Sequence, residues 1–270
     1  AVDCANGASS ATASVLFRKL KLDAAIRYYE PDGTNINAHC GSTHLEALQK
    51  MVKDGGYVVG VAFDGDADRC LIVDDKGEVL DGDRIMAVCA VELKRQNKLR
   101  GNAFVATILS NMGLHAYAKQ HGISIECSNV GDRYVLEKML EKGYILGGEQ
   151  SGHVIFLEYA TTGDGELTAI QFLKMLKDSG KRASEIAAEV VPWPQIMINV
   201  QVPTAMKYAI SDRQEVQDAI EKEKQGLGEG RILVRPSGTE PLVRVMVEGK
   251  DKDSVYKAAE AVAGVIESIL

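Results

Sequence analysis

Over roughly the first 190 residues, short apolar runs alternate with helical patterns. A chain written this way buries its strands by crossing over them with helices, which implies βαβ units and mixed sheets. The runs at 24–29, 57–63, 70–73, 103–108 and 123–127 are expected strands, and the patterns at 43–53, 84–95, 113–120 and 134–142 are expected helices. The best-marked helix is expected at 165–177, where Ala169, Phe172, Leu173 and Leu176 fall at i, i+3, i+4 and i+7. Pro192-Trp193-Pro194 then interrupts the pattern, because two prolines fit neither a continuing helix nor a central strand. Beyond it come an expected strand at 198–202, a charged helix at 212–224 and strands at 231–234 and 242–248. A closing helix carries Val255, Ala259, Val262, Ile266 and Ile269 on one face. The expected fold class is α/β: two α/β sandwich domains with mixed, mostly parallel sheets at 1–100 and 101–192, followed by a small α+β C-terminal domain at 193–270.

Charge narrows the function. Among 270 residues, 31 Lys and Arg face 38 Asp and Glu, a net charge of −7, and the isoelectric point is near 5.4. Nucleic acids and anionic membranes need a basic surface, so neither is an expected partner. No run approaches the 18 to 20 or so apolar residues of a membrane span, and no secretory signal opens the chain. The five cysteines are scattered without a C-x-x-C pair, which fits a reducing compartment. A soluble, cytoplasmic protein is expected. The opening Ala1-Val2-Asp3-Cys4-Ala5-Asn6-Gly7 reads as a strand end breaking into a turn, with Ser9 or Ser10 capping the next helix. A domain seldom begins inside a strand, so the chain is expected to be a fragment of something longer, cut on its N-terminal side.

Four loops carry chemistry. Asp64-Gly65-Asp66-Ala67-Asp68-Arg69 follows an apolar run, and its three alternate carboxylates can converge on one hard divalent cation such as Mg²⁺. An EF-hand is excluded, because that loop needs Gly sixth and Glu twelfth, where this chain has Arg69 and Asp75; a solvated acidic turn is the bland alternative. Arg235-Pro236-Ser237-Gly238-Thr239-Glu240-Pro241 combines hydroxyls, Gly-turn amides and guanidiniums suited to phosphate. Arg244 supports it, facing away from Val243, Val245 and Val247; the alternative is a Pro/Gly hairpin with surface arginines. In Gly148-Glu149-Gln150-Ser151-Gly152-His153, the alternate residues Glu149, Ser151 and His153 can meet a polyol together, although a lone histidine is more often structural. In Asn129-Val130-Gly131-Asp132-Arg133-Tyr134, Asp132 is expected to cap a helix, while Arg133 is a functional candidate if the loop faces the same cleft.

Three of these loops, taken in order, resemble the motifs of the α-D-phosphohexomutases. Pro31-Asp32-Gly33-Thr34-Asn35-Ile36-Asn37, Cys40-Gly41-Ser42-Thr43-His44, Gln150 and the 130–134 stretch look like its bacterial phosphoglucosamine mutase branch. The resemblance covers essentially the whole chain. It implies domains two to four of a four-domain enzyme, without the first domain and its phosphoryl-carrying serine; no Thr-Ala-Ser-His-Asn-type loop occurs, so the chain alone is expected to be inactive. The implied reaction interconverts glucosamine 6-phosphate and glucosamine 1-phosphate through a 1,6-bisphosphate (glucosamine or glucose), feeding UDP-N-acetylglucosamine and cell-wall synthesis. By the same resemblance Asp64, Asp66 and Asp68 hold Mg²⁺ and Arg69 offsets charge on the transferring group. Glu149 and Ser151 hold sugar hydroxyls. Arg235, Ser237, Gly238, Thr239 and Arg244 hold the unreacting phosphate, and His153 and Arg133 lie near proton transfer. The implied partners are the phosphosugar, the missing domain and a homodimer mate in the full-length protein. Phosphoglucomutase or phosphomannomutase activity, and a catalytically silent phosphosugar-binding fragment, are the competing readings.

Overall fold

A computed structural model of the chain describes residues 1–238 and 240–270. These form two compact units, Ala1–Val191 and Pro192–Leu270. The first runs β1 (Val2–Asp3), α1 (Ala13–Lys19), β2 (Ile26–Arg27), α2 (Glu46–Gly55), β3 (Gly60–Phe63), β4 (Cys70–Val73), β5 (Val79–Leu80) and α3 (Gly82–Arg95). It continues with β6 (Ala103–Thr107), α4 (Met112–Gln120), β7 (Ser124–Ser128), α5 (Asp132–Lys142), β8 (Leu146–Gly148), β9 (Val154–Phe156), α6 (Gly165–Ser179) and α7 (Ala183–Ala187). The strands make two mixed sheets, ordered β2-β1-β3-β4-β5 and β7-β6-β8-β9. In the first, β1 is parallel to β2 and β3 while β4 is antiparallel to its neighbours. In the second, β6 is parallel to β7 and β8, and β8–β9 is an antiparallel hairpin.

The two sheets share one core. Ile85, Met86, Ala87, Val88, Cys89 and Ala90 are all buried, so the middle of α3 is apolar around its whole circumference, the mark of a helix enclosed on every side. It packs against β4 and β5 of one sheet, β6 and β8 of the other, and α4 and α6. Residue 100, the expected boundary, lies just beyond this helix. Exposing Ile85 and Met86 alone would cost about 1.5–3 kcal/mol each, which is why the halves on either side of α3 stay together.

Local expectations held where a periodic pattern was long and shifted where neighbours decide. The strand expected at 57–63 starts at Gly60, because α2 ends on the left-handed Gly56 and Val58 stands exposed. Gly60 is required there: a Cβ would lie 2.7 Å from Val52 and 3.1 Å from both Leu48 and Val73, so only glycine lets α2 sit this close to the sheet. Neither Ser9 nor Ser10 caps α1. Both lie in a short 3₁₀ turn, the N-cap position is Thr12, and the buried Ser9 hydroxyl donates to the Cys4 carbonyl instead. Asp132 is likewise not a cap. Gly131 holds the N-cap position of α5, and Asp132 is its first residue, accepting from the Arg133 amide.

The second unit comprises β10 (Gln195–Gln201), α8 (Gln214–Leu227), β11 (Gly230–Pro236), β12 (Leu242–Gly249) and α9 (Lys252–Ser268). Its antiparallel sheet is ordered β10-β12-β11. Val243, Val245 and Val247 of the central strand are fully buried against Val216, Val255, Ala259, Val262 and Ile266 of the two helices. Among the described residues, no helix is long and apolar enough to cross a membrane.

Candidate functional site

The acidic loop begins where β3 ends. Asp64 is buried, and its Oδ1 accepts from the Arg69 amide at 3.1 Å, which closes the loop on itself. One oxygen from each of Asp64, Asp66 and Asp68 lies within 4.8 Å of the others. Burial, opposed by the Arg69 amide and reinforced by the charge of Asp68, pushes the Asp64 carboxyl up to about 6. Asp68 Oδ1 is buried without a hydrogen-bond partner among the described residues. The Arg69 guanidinium, 3.8 Å from Asp64 and 3.9 Å from Asp68, offsets only part of this charge. An all-oxygen cluster with one buried carboxylate oxygen that accepts no hydrogen bond and a destabilised anion is a donor set that fits a hard divalent cation such as Mg²⁺.

Ala67 occupies the left-handed region at φ +61°. Its backbone is held from both sides, the amide donating to Asp64 O and the carbonyl accepting from Gly165 N at 2.9 Å. The left-handed conformation costs alanine about 1–2 kcal/mol, whereas glycine adds about 0.4–1 kcal/mol of unfolded-chain freedom. Ala67→Gly is therefore expected to be neutral or stabilising by up to about 1.6 kcal/mol in denaturant unfolding, with metal affinity unchanged. A loss above about 1 kcal/mol would show that the methyl group's packing outweighs the strain.

The loop 149–153 is the turn of the β8–β9 hairpin, and it is joined to the acidic loop. Cys70 N donates to Gly152 O at 3.0 Å, and Arg69 and His153 form a single antiparallel bridge. Gly152, at φ +96°, permits this approach, since a Cβ there would lie 2.5 Å from Cys70 O. Glu149 Oε1 accepts from Gly131 N at 2.8 Å and its Oε2 from Ser151 Oγ at 3.4 Å, so the loop is also tied to 129–134. Gln150 donates to Asp81 Oδ2 at 3.1 Å, while Asp81 caps α3; burial holds the Asp81 carboxyl above the usual carboxylate range. His153 is buried with its ring at Asp68. Arg133 is exposed and donates to Glu137 on its own helix at 2.8 Å. The structure thus gathers Asp64, Asp66, Asp68, Arg69 and His153 into one cluster and links Glu149 and Ser151 to it, whereas Arg133 is turned along α5.

Two supporting segments escaped the sequence analysis. Thr161-Thr162-Gly163-Asp164-Gly165 lies against the acidic loop through Gly165, and Asp164 caps α6 by accepting from Leu167 N at 2.9 Å. A Gly-Asp-Gly step before a strong helical pattern was the readable signal. The N-terminal loop docks through Ala8 N to Gly65 O at 2.8 Å, and nothing local in the sequence marks that contact.

In the second unit, β11 and β12 place Arg235 directly opposite Arg244. Like charges so placed repel, and burial together with Arg244 holds the Arg235 guanidinium below its ordinary value. The Nε atoms of both are buried without a partner among the described residues. Arg244 donates to Glu240 Oε2 at 3.1 Å, Glu240 N donates to Ser237 Oγ at 3.3 Å, and the buried Lys207 donates to the Glu240 carbonyl at 3.0 Å. Ser237 is buried and Gly238 is exposed; Thr239 lies outside the described residues. Two neighbouring guanidiniums whose Nε donors are unused could take a multivalent oxyanion.

Comparison with known proteins agrees with this arrangement. Models described as phosphoglucomutase/phosphomannomutase match the chain in order: alpha/beta/alpha domain II over residues 1–77, alpha/beta/alpha domain III over 81–192 and the C-terminal domain over 197–265. The phosphoglucosamine mutase of Ruminiclostridium cellulolyticum is 54% identical over 100% of this chain and 60% of its own length. That of a Thermoanaerobacter species is 51% identical over 98% of this chain and, again, 60% of its own. The chain therefore spans about 60% of the length of these relatives. Among solved structures, Aspergillus fumigatus N-acetylphosphoglucosamine mutase in complex with GlcNAc-6P and magnesium shares the fold at a TM-score of 0.79 and 22% identity, covering 98% of this chain and 65% of that one. By these matches the chain belongs to the phosphoglucomutase/phosphomannomutase family.

Proposed function

We propose that this chain supplies the metal-, sugar- and phosphate-binding parts of a cytoplasmic phosphoglucosamine mutase, which interconverts glucosamine 6-phosphate and glucosamine 1-phosphate through a 1,6-bisphosphate. The observation that carries the reading is the aspartate cluster, in which the buried Asp68 Oδ1 accepts no hydrogen bond among the described residues, in a chain about half identical to phosphoglucosamine mutases. The phosphoryl group is carried by a serine on a domain outside this chain.

Phosphoryl transfer gains mainly from positioning and charge neutralisation. Asp64, Asp66 and Asp68 would hold Mg²⁺, which when bound neutralises charge on the transferring phosphate. Arg69, already beside two of these carboxylates, adds a second positive charge. Glu149, oriented by the Gly131 amide, accepts from sugar hydroxyls together with Ser151. Arg235, Ser237, Gly238, Thr239 and Arg244 hold the phosphate that does not react, so that the sugar can be bound in either orientation. Glu137 holds the Arg133 guanidinium more firmly protonated, so Arg133 serves as a phosphate or sugar contact rather than as a base.

The test is calorimetric titration of the chain, in Mg²⁺, with glucosamine 6-phosphate and glucose 6-phosphate. Preferential binding of the amino sugar is expected. Equal affinity would remove the glucosamine assignment and leave a general phosphohexomutase.

A further inference from the structure

The anion site of the second unit already holds a negative charge of the chain's own. The backbone of Glu240 is fixed on both sides: its amide donates to Ser237 Oγ at 3.3 Å, while its carbonyl accepts from Leu242 N at 2.9 Å and from the buried Lys207 Nζ at 3.0 Å. The side chain is 53% exposed, yet its Oε2 meets two of the groups assigned to phosphate. Arg244 Nη2 donates to it at 3.1 Å, and Ser237 Oγ donates at 3.5 Å, the long limit of a hydrogen bond. A carboxylate gives a guanidinium the same charge-assisted acceptor that a phosphate gives. Glu240 therefore uses donors that a phosphate oxygen would need.

We infer that the Glu240 carboxylate is a placeholder for the phosphate: it leaves Arg244 and Ser237 when phosphate binds and returns when phosphate departs. This rests on the phosphate reading proposed above. With the backbone fixed, the exchange needs side-chain rotation alone, and exposed side chains change rotamer in picoseconds to nanoseconds. The exchange has a use in a reaction that binds its sugar in either orientation. Between the two halves, the phosphate at this site is released and replaced by the other one, and a grip that is equally strong in ground state and transition state does not raise turnover. An empty site would leave Arg235 and Arg244 opposed as like charges across two strands, whereas Glu240 neutralises one of them. Glu240 thus loosens the resting hold on phosphate and steadies the site between ligands.

The measurement is titration of the 270-residue chain with inorganic phosphate, followed through the Arg235 and Arg244 Nε–H resonances in NMR. The buffer holds no divalent cation, so that the aspartate cluster takes no part. Glu240→Gln removes the charge at nearly constant shape and is expected to lower the dissociation constant about 3- to 20-fold, the size set by losing an exposed ion pair and the repulsion of one nearby negative charge. Glu240→Asp keeps the charge but, on a fixed backbone, draws it back from Arg244 by one methylene. Its dissociation constant is expected to fall at least about twofold. An unchanged dissociation constant in Glu240→Gln would overturn the inference, and so would a higher one, which would show that the carboxylate orients Arg244 for its ligand. Tighter binding in Glu240→Gln with wild-type affinity in Glu240→Asp would overturn it as well, because the charge would then matter and the contact would not. If phosphate moves neither resonance in the wild-type chain, the phosphate reading fails and this inference fails with it.

Discussion

Asp66→Ala is expected to abolish turnover in a complete mutase containing this chain, lowering it at least about 10³-fold, because the several kcal/mol of charge stabilisation that a metal supplies is lost with its site. The fold should not suffer. Asp66 is the exposed member of the cluster, while the bond that closes the loop, from the Arg69 amide to Asp64, does not involve it. Surface substitutions of this kind change stability by less than about 0.5 kcal/mol. Removing a carboxylate from a mutually repelling set even relieves some strain in the metal-free protein. The result to look for is a near-inactive variant with an unchanged denaturant midpoint and a much weakened Mg²⁺ titration; wild-type turnover would remove the metal assignment.

The second large effect is expected at Arg244. Arg244→Ala should weaken binding of glucosamine 6-phosphate to the chain by about 1.5–3 kcal/mol, the range for a hydrogen bond to a charged group, or about 10- to 150-fold in dissociation constant. The sign on stability is opposite to that on binding. Arg244 faces Arg235 across two strands, and like charges so placed destabilise by a few tenths to about 1 kcal/mol. Stability of the second unit is therefore expected to hold or rise slightly as affinity falls. Arg244→Lys should recover only part of the affinity, since a lysine keeps the charge and loses the planar fork that grips two phosphate oxygens. An unchanged dissociation constant in Arg244→Ala would defeat the phosphate assignment.

The α/β class was legible because hydrophobic period is a local property. The helix expected at 165–177 is α6 (Gly165–Ser179), and the strand expected at 70–73 is β4 (Cys70–Val73). Ends were less legible. Where β3 begins depends on how closely α2 can lie on Gly60, and the capping of α1 and α5 depends on Ser9 being drawn to the Cys4 carbonyl and on Asp132 falling one residue inside α5, behind Gly131.

The same division runs through the candidate site. The D-x-D-x-D spacing by itself determined that three carboxylates sit on one tight loop, because neighbours in sequence cannot separate. Likewise, the alternation at 243–247 set Arg244 apart from the buried valines. Only tertiary structure decided what those groups face. Strand register set Arg235 against Arg244. The meeting of two sheets brought His153 to Asp68 and Gly163 to His153. A hydrogen bond between residues 85 apart leaves no trace in local composition; it exists because α3 holds the two sheets on one core and so fixes the loops that leave them.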